Sequence, residues 1–511
     1  MKIGNISRQS KIGFWSTIIF GIIAHINMMT NKISWQDDIQ EWFGIGHTYT
    51  SGRWMLGIMQ KLEETFLGTS MFSTPFFNCL VSILCIAIVV GLLIDLFEIK
   101  SEVLSIILGG LMVTFPVVTS IFAYVYTAPA YMIGLLMGVV GAYLMCKYDK
   151  WYIYVVALML CSCCVGTYQA FIPVIISIFL IYMIKSNMLS SDTTKLGILK
   201  EIVYYAITSL SFMICYFIIN KLFLMYFDVK LASYRGISKM GVTSVKGYIY
   251  RIFLTYKEFI SPDESSLTNM YPAGLGNIYK IVLLIIGIGT IICLINTYKA
   301  NSLRGFYVTV LVAAIPLTTN FIFVMCETEV IHSLMVYGKA FVLVYLVFII
   351  DYLCVEANKW KNLVSKIGIL LLCMITIFYV KFDNMCYMKA EIVQTQTIQY
   401  FSTMVTRIKS VEGYSDELPV AFINKKNIDD LSITENPEFE VINIMPYHKE
   451  SDDLINNYSW IPYMENWLNY SPEILDEEIV NGWEEIEIMP AYPDDGSIAV
   501  IHGIVVIKLG E

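Results

Sequence analysis

Apolar runs about twenty residues long recur through most of this chain, and that is the length an α-helix needs to cross the hydrocarbon core of a bilayer. Hydropathy places eleven candidate spans at roughly 12–30, 74–96, 102–122, 128–146, 151–166, 169–185, 201–226, 278–297, 304–325, 333–354 and 363–381. Of the 511 residues, 57% are hydrophobic and only 15% charged, against about 25% charged in a soluble domain. A conventional soluble enzyme is excluded, as are disordered and fibrous chains. The expected fold class is an α-helical polytopic membrane protein with about eleven transmembrane helices and a small C-terminal α/β domain outside the cytoplasm. The first apolar run lacks a small-residue cleavage site and reads as a retained helix rather than a signal peptide.

The net charge of −9 is unevenly spread. Residues 1–381 carry a balance of +8 and residues 382–511 a balance of −17. The expected division is therefore a membrane domain over 1–381, with outer loops at 30–73 and 227–277, and a soluble domain over 382–511. With the N-terminus inside, every short cytoplasmic connection is basic: Lys100; Lys147 and Lys150; Lys185, Lys195 and Lys200; Lys299 and Arg304; Lys359, Lys361 and Lys366. The short outer connections 123–127 and 166–168 carry no charge, as the positive-inside rule requires. An odd number of spans then puts the acidic tail and both long loops outside, in an inner or plasma membrane.

Within 244–260, Val245, Ile249, Ile252, Phe253, Tyr256 and Phe259 fall on one helical face, with Lys246, Arg251 and Lys257 elsewhere. Such a helix lies in the membrane interface rather than across it. The tail alternates helical and strand patterns: helix over 391–409, strands at 418–424 and 439–445, helix over 472–483, and a closing strand or hairpin over 497–509 around Gly503. Eleven of the twelve cysteines lie in or beside apolar segments, where a thiol acts as a small hydrophobe. Cys161 and Cys164 have a metal-pair spacing, but no second pair or histidine follows.

Chemistry-bearing residues concentrate at the outer ends of the spans. Asp37 and Asp38 follow the first span, and Gly52-Arg53-Trp54 comes before the next helical run. Adjacent carboxylates beside a membrane can act as general base toward a hydroxyl once neighbours tune them; the alternative is a helix cap on a solvated loop. Arg53 could hold a phosphate or snorkel to lipid headgroups. The 326–333 connection carries Glu327, Glu329 and His332, and Lys339 lies about one and a half turns into the tenth span. A cation at that depth needs an anionic partner, either Glu327 or Glu329 as an ion pair, or a ligand phosphate. Tyr126, Tyr168 and Gln169 sit on short outer connections, and Tyr234-Arg235-Gly236 in the second long loop could touch phosphate or sugar. No P-loop, dinucleotide fingerprint or HExxH is present, and nothing points to nucleic acid. An enzyme working outside needs a donor already there, which a lipid-linked one supplies.

Asp37-Asp38, Gly52-Arg53-Trp54, Gly166-Thr167-Tyr168-Gln169-Ala170, Tyr234-Arg235-Gly236, His332-Ser333 through Tyr337, and the ending Tyr492-Pro493 to Leu509 together resemble the bacterial glucosyltransferase II family. These are serotype-converting polytopic glycosyltransferases of GT-C architecture. The resemblance implies a polyprenyl-phosphate sugar donor, undecaprenyl-phosphate glucose, and a surface polysaccharide or its lipid-linked precursor as acceptor. It also implies inverting single displacement with a first-loop acid as base, here Asp38 or Asp37. Arg53, Trp54, Tyr126, Tyr168, Gln169, Tyr234, Arg235, Glu327, His332 and Lys339 are the expected substrate contacts. A small flippase and a polyprenyl-phosphate sugar synthase are the implied partners. No cofactor is required, with a divalent metal left as an alternative and no metal ligands assigned. The rival readings are a lipid-linked saccharide flippase or an O-antigen polymerase or ligase.

Overall fold

In the computed structural model, residues 6–34, 38, 42, 48–189, 194–232, 241–262, 268–270, 275–327, 331–354, 359–424 and 460–510 are described. In chain order the helices are α1 (Arg8–Thr30), α2 (Trp54–Leu67), α3 (Pro75–Phe97), α4 (Glu102–Val113), α5 (Pro116–Phe122), α6 (Ala128–Lys147), α7 (Trp151–Thr167), α8 (Ile172–Leu189), α9 (Lys195–Tyr226), α10 (Val245–Ile260), α11 (Leu275–Ala300), α12 (Ser302–Ala313), α13 (Ile315–Thr319), α14 (Ile322–Met325), α15 (Ala340–Cys354), α16 (Lys359–Ser410), α17 (Trp460–Leu468) and α18 (Glu484–Glu487). Among the described residues, ten helical segments are long and apolar enough to cross a membrane. The fifth expected span, α7, has 17 residues and so reaches only about 26 Å. The chain is a multi-pass helical membrane protein with a small C-terminal sheet.

Several spans depart from continuous helix, each for a local reason. The third breaks at Thr114 and Phe115, and Pro116 restarts it as α5, because proline lacks the N–H that would continue the ladder. The ninth, expected over 304–325, is split into α12, α13 and α14, again with a proline, Pro316, in the first turn after the break. The tenth begins as two 3-10 turns, Ser333–Met335 and Tyr337–Lys339, before α15. The last span does not stop near 381: α16 runs unbroken for 52 residues, about 78 Å.

Two compact units result. The described residues within Met1–Lys32 and Phe43–Met385 form one, and those within Ile33–Trp42, Cys386–Asn443 and Lys449–Glu511 form the other. In the first, α1 packs on α3 and α4, and helices approach through small residues: a Cβ on Gly109 would lie 2.8 Å from the Gly13 carbonyl. Basic residues on the connections are tied locally. Lys185 reaches Glu98 at 2.8 Å and Lys147 reaches Asp95 at 3.1 Å. Asp351 accepts the Lys100 and Ser101 amides. Cys161 and Cys164 are buried where Gly141 and Gly138 of α6 abut them, as packing groups.

Helix α10 is inside out relative to a soluble helix. Arg251, Thr255 and Glu258 are buried, while Val245, Ile249 and Phe253 are each more than 60% exposed. The polar stripe is bound to the bundle and the apolar stripe faces away from the protein, as an interfacial helix demands.

The second unit centres on a four-stranded sheet, order β2-β1-β4-β3, with β1 (Val420–Ile423), β2 (Ile474–Leu475), β3 (Ile498–Ile501) and β4 (Ile504–Lys508). β1 runs parallel to β2 and β4, with Val420 opposite Val505, and β3 and β4 form an antiparallel hairpin. Alternation along β1 sends Val420 and Phe422 to a core with Met404 and Ile408 of α16, and Ala421 and Ile423 to a second core with Val480 and Ile486. The expected hairpin forms, turning at His502 and Gly503, both with positive φ (48° and 81°). The helix expected over 472–483 does not form. Ile474 and Leu475 pair with β1, and the Val420 amide donates to the Glu473 carbonyl at 2.8 Å, so sheet pairing overrides the local helical pattern. The strand expected at 439–445 lies outside the described residues.

Candidate functional site

Two of the short motifs meet in the membrane unit. A 3-10 turn, Tyr49–Ser51, leads into Gly52 at φ +69°, and Arg53 caps α2. The Arg53 amide donates back to the Thr48 carbonyl at 2.8 Å. Its half-buried guanidinium donates to the Tyr131 hydroxyl at 3.1 Å and lies 5.0 Å from the centre of the Tyr168 ring, a cation–π arrangement. Trp54 is buried, stacked at 5.6 Å on Phe223 of α9 and pressed against Gly166, where a Cβ would come within 2.4 Å of the indole. Tyr49 stacks on Phe227 at 4.1 Å, and burial raises its hydroxyl pKa above the ordinary value.

Helix α9 supplies the far wall. Its buried residues are Thr208, Phe212, Tyr216 and Asn220, one per four positions, on an otherwise outward-facing apolar helix. The Tyr216 hydroxyl donates to the Gly52 carbonyl at 3.1 Å. The Gln169 amide donates to the Ser51 carbonyl at 2.8 Å and to the Tyr216 hydroxyl at 3.1 Å. Asn220 Oδ1 and Trp54 Nε1 are buried with no hydrogen-bond partner among the described residues, and an unmet polar group in such a place costs about 1–3 kcal/mol. Arg53, Trp54, Tyr168 and Gln169 are thus brought together, while Tyr131, Tyr216 and Asn220 were not anticipated from the sequence. For Tyr216 and Asn220 the available signal was that they share one helical face with Thr208 on an apolar span.

The other expected residues have other surroundings. Lys339 lies in a 3-10 turn rather than inside a helix, and its ammonium pairs with Glu258 at 3.5 Å and the Thr268 carbonyl at 2.8 Å. The expected partner Glu327 instead meets Arg251 at 3.6 Å, and Glu329 lies outside the described residues. The correction has a physical cause: α10 turns its polar stripe inward, so Glu258, distant in sequence, becomes the neighbour. His332 is buried ahead of a turn in which Ser333 meets Ser120 at 2.9 Å, and Tyr337 donates to the Met112 carbonyl at 2.9 Å. Tyr126 is buried on the 123–127 connection, where Asn78 donates to the Val125 carbonyl at 2.9 Å.

Asp38 is buried and belongs to the second unit, where it accepts from Ser34 Oγ at 2.8 Å. The Ser34 amide in turn donates to Gln394 of α16 at 2.8 Å, and Trp42 meets Trp467 of α17 edge-on at 5.4 Å. Asp37, Tyr234 and Arg235 lie outside the described residues. Asp383, not anticipated, is fully buried: one oxygen accepts from Thr119 at 2.7 Å and the other has no hydrogen-bond partner among the described residues. Among the described residues, no group of three or more His, Cys, Asp or Glu side chains is placed to hold a metal ion.

Fold and site together define a multi-pass membrane protein with a buried polar cluster built around one arginine on its first long loop. A family model described as Glucosyl transferase GtrII matches residues 26–343. That stretch covers more than half of the chain, from the end of α1 into α15, and the chain belongs to this glucosyltransferase family. No curated protein and no solved structure matches it.

Proposed function

We propose that the protein transfers glucose from a polyprenyl-phosphate donor to a surface polysaccharide or its lipid-linked precursor on the extracytoplasmic face of the plasma membrane. The N-terminus is cytoplasmic and the C-terminal unit outside. The carrying observation is the meeting of Gly52-Arg53-Trp54 with Tyr168-Gln169 around a guanidinium that is only partly buried, fixed on one side by a tyrosine hydroxyl and on another by an aromatic face. Such an arginine suits the phosphate of a lipid monophosphate, which it can bind bidentately. Lys339 is paired with Glu258, so of these two cations Arg53 is the better suited to an anion.

In the reaction, the acceptor hydroxyl oxygen bonds to the sugar C1 as the C1–O bond to phosphate breaks. As the family resemblance implies, a first-loop carboxylate, Asp38, takes the hydroxyl proton; Arg53 holds the phosphate of the polyprenyl group, which leaves as polyprenyl phosphate. Inversion at C1 follows from a single displacement. Asp37 is the alternative base. The alternating positive-inside pattern supports the assignment of sides.

The test is transfer by the reconstituted protein from a polyprenyl-phosphate glucose, with loss of one branch sugar from the surface polysaccharide as the cellular readout. Asp38→Asn should lower the rate at least 100-fold with normal membrane insertion. Wild-type turnover in an Asp37→Asn/Asp38→Asn double variant would sink the base assignment.

A further inference from the structure

Three consecutive carbonyls ahead of Arg53 are each bound by a different distant part of the chain. Thr50 O accepts the Ala232 amide at 2.8 Å, Ser51 O accepts Gln169 Nε2 at 2.8 Å, and Gly52 O accepts the Tyr216 hydroxyl at 3.1 Å. The donors come from the loop after α9, from the connection after α7 and from the middle of α9's buried stripe. Gln169 spends both amide hydrogens here, one on Ser51 and one on Tyr216, and a primary amide has only two. The fit leaves no slack: a Cβ on Gly52 would sit 2.6 Å from the Tyr216 hydroxyl and 3.0 Å from the Gln169 amide.

A turn that needs three outside donors is not stabilised by its own local hydrogen bonds alone. Residues 48–53 lead directly into the start of α2, with Gly52 left-handed and Arg53 at φ −100°, ψ 50°. Without the donors, several backbone arrangements would be open, and each would carry the guanidinium elsewhere. A guanidinium carried away from its place loses its hydrogen bonds to the donor phosphate, which act only within about 3 Å, and the donor is then held less tightly.

We infer that Tyr216 and Gln169 are positioning residues that hold the Ser51–Gly52 carbonyls and so set where Arg53 meets the donor phosphate. This rests on Arg53 as the phosphate ligand, and it reassigns Gln169 from touching substrate to fixing the arginine. The effect belongs to donor affinity and not to the proton transfer.

Tyr216→Phe removes one hydroxyl and keeps the ring; Gln169→Asn keeps the amide but shortens its reach. Each should raise the KM for polyprenyl-phosphate glucose about 5- to 10-fold while kcat changes less than about twofold. In an Arg53→Ala background, Tyr216→Phe should add less than about twofold to KM, since residues acting through one group are not additive. Amide exchange over 48–56 supplies a donor-free readout and should quicken in both single variants.

Unchanged exchange in Tyr216→Phe overturns the clamp, as does a KM effect that survives in full without Arg53. A wild-type KM in Arg53→Ala alone refutes the phosphate role of Arg53, and exchange then decides the clamp by itself. Loss of kcat at unchanged KM in both single variants assigns these side chains to another step and also overturns the inference.

Discussion

Glu258→Gln should be among the most damaging single changes outside the proposed site. The Lys339–Glu258 pair is 3.5 Å apart, with side chains only 6% and 9% exposed. At an effective dielectric of about 20 the attraction at that distance is about 5 kcal/mol. Most of it offsets the cost of removing both charges from water, so the intact pair contributes little net stability. Removing one partner leaves the Lys339 ammonium buried with the Thr268 carbonyl and the Phe323 ring beside it, at a cost of about 3–5 kcal/mol. Replacing both, as Glu258→Leu with Lys339→Met, should recover all but about 1–2 kcal/mol. The measurement is unfolding free energy in detergent micelles for the wild type, both single variants and the double, as a thermodynamic cycle. The exposed apolar face of α10 is the same in every variant, so the cycle isolates the pair. A single-variant loss below about 1 kcal/mol, or a double variant as unstable as the worse single, would refute a desolvated pair as the anchor of this helix.

Two further perturbations test backbone geometry. Gly52→Ala places a Cβ at φ +69° and 2.6 Å from the Tyr216 hydroxyl; it should cost about 1–2 kcal/mol from the left-handed backbone alone and raise the donor KM, read by unfolding and kinetics together. Gly503→Val should cost about 1–2 kcal/mol or more at φ +81° and expose 497–509 to limited proteolysis, whereas Gly503→Asn stays mild because asparagine tolerates that region. Among the described residues, no atom lies within 4 Å of a Cβ at Gly503, so equal behaviour of Val and Asn would show that backbone conformation is not the cause.

Much of the membrane architecture was legible because bilayer thickness imposes one length scale on every span. Helix breaks were less legible. Pro116 and Pro316 mark them in hindsight, but both lie inside runs apolar enough to be read as continuous. Hydropathy falls near 381 and so ends the last apolar run there, although the backbone of the 52-residue α16 continues as helix to Ser410. Hydropathy reports surroundings, not hydrogen bonding, so the end of an apolar run is not the end of a helix. In the tail, the Ser497–Leu509 stretch was readable because a glycine at its centre divides two β-branched runs. The 472–483 stretch carries a helical pattern but departs from it, because its pairing partner, Val420 in β1, is some fifty residues away.

The site divides in the same way. Arg53, Trp54, Tyr168 and Gln169 stood out because polar or aromatic motifs on short outer connections are few in such an apolar chain. Tyr131, Tyr216 and Glu258 did not, since each lies within a helix whose composition gives it no distinction. By itself the sequence determined the number of crossings within one, the expected direction of each and the acidic character of the tail, all of which follow from local composition against a slab of fixed thickness. The tertiary structure decided which charge answers Lys339, which donors hold the Thr50–Gly52 carbonyls and which strand Ile474 joins. Each depends on atoms far apart in sequence meeting within 3.5 Å, the reach of hydrogen bonds and ion pairs, which no local pattern of residues encodes.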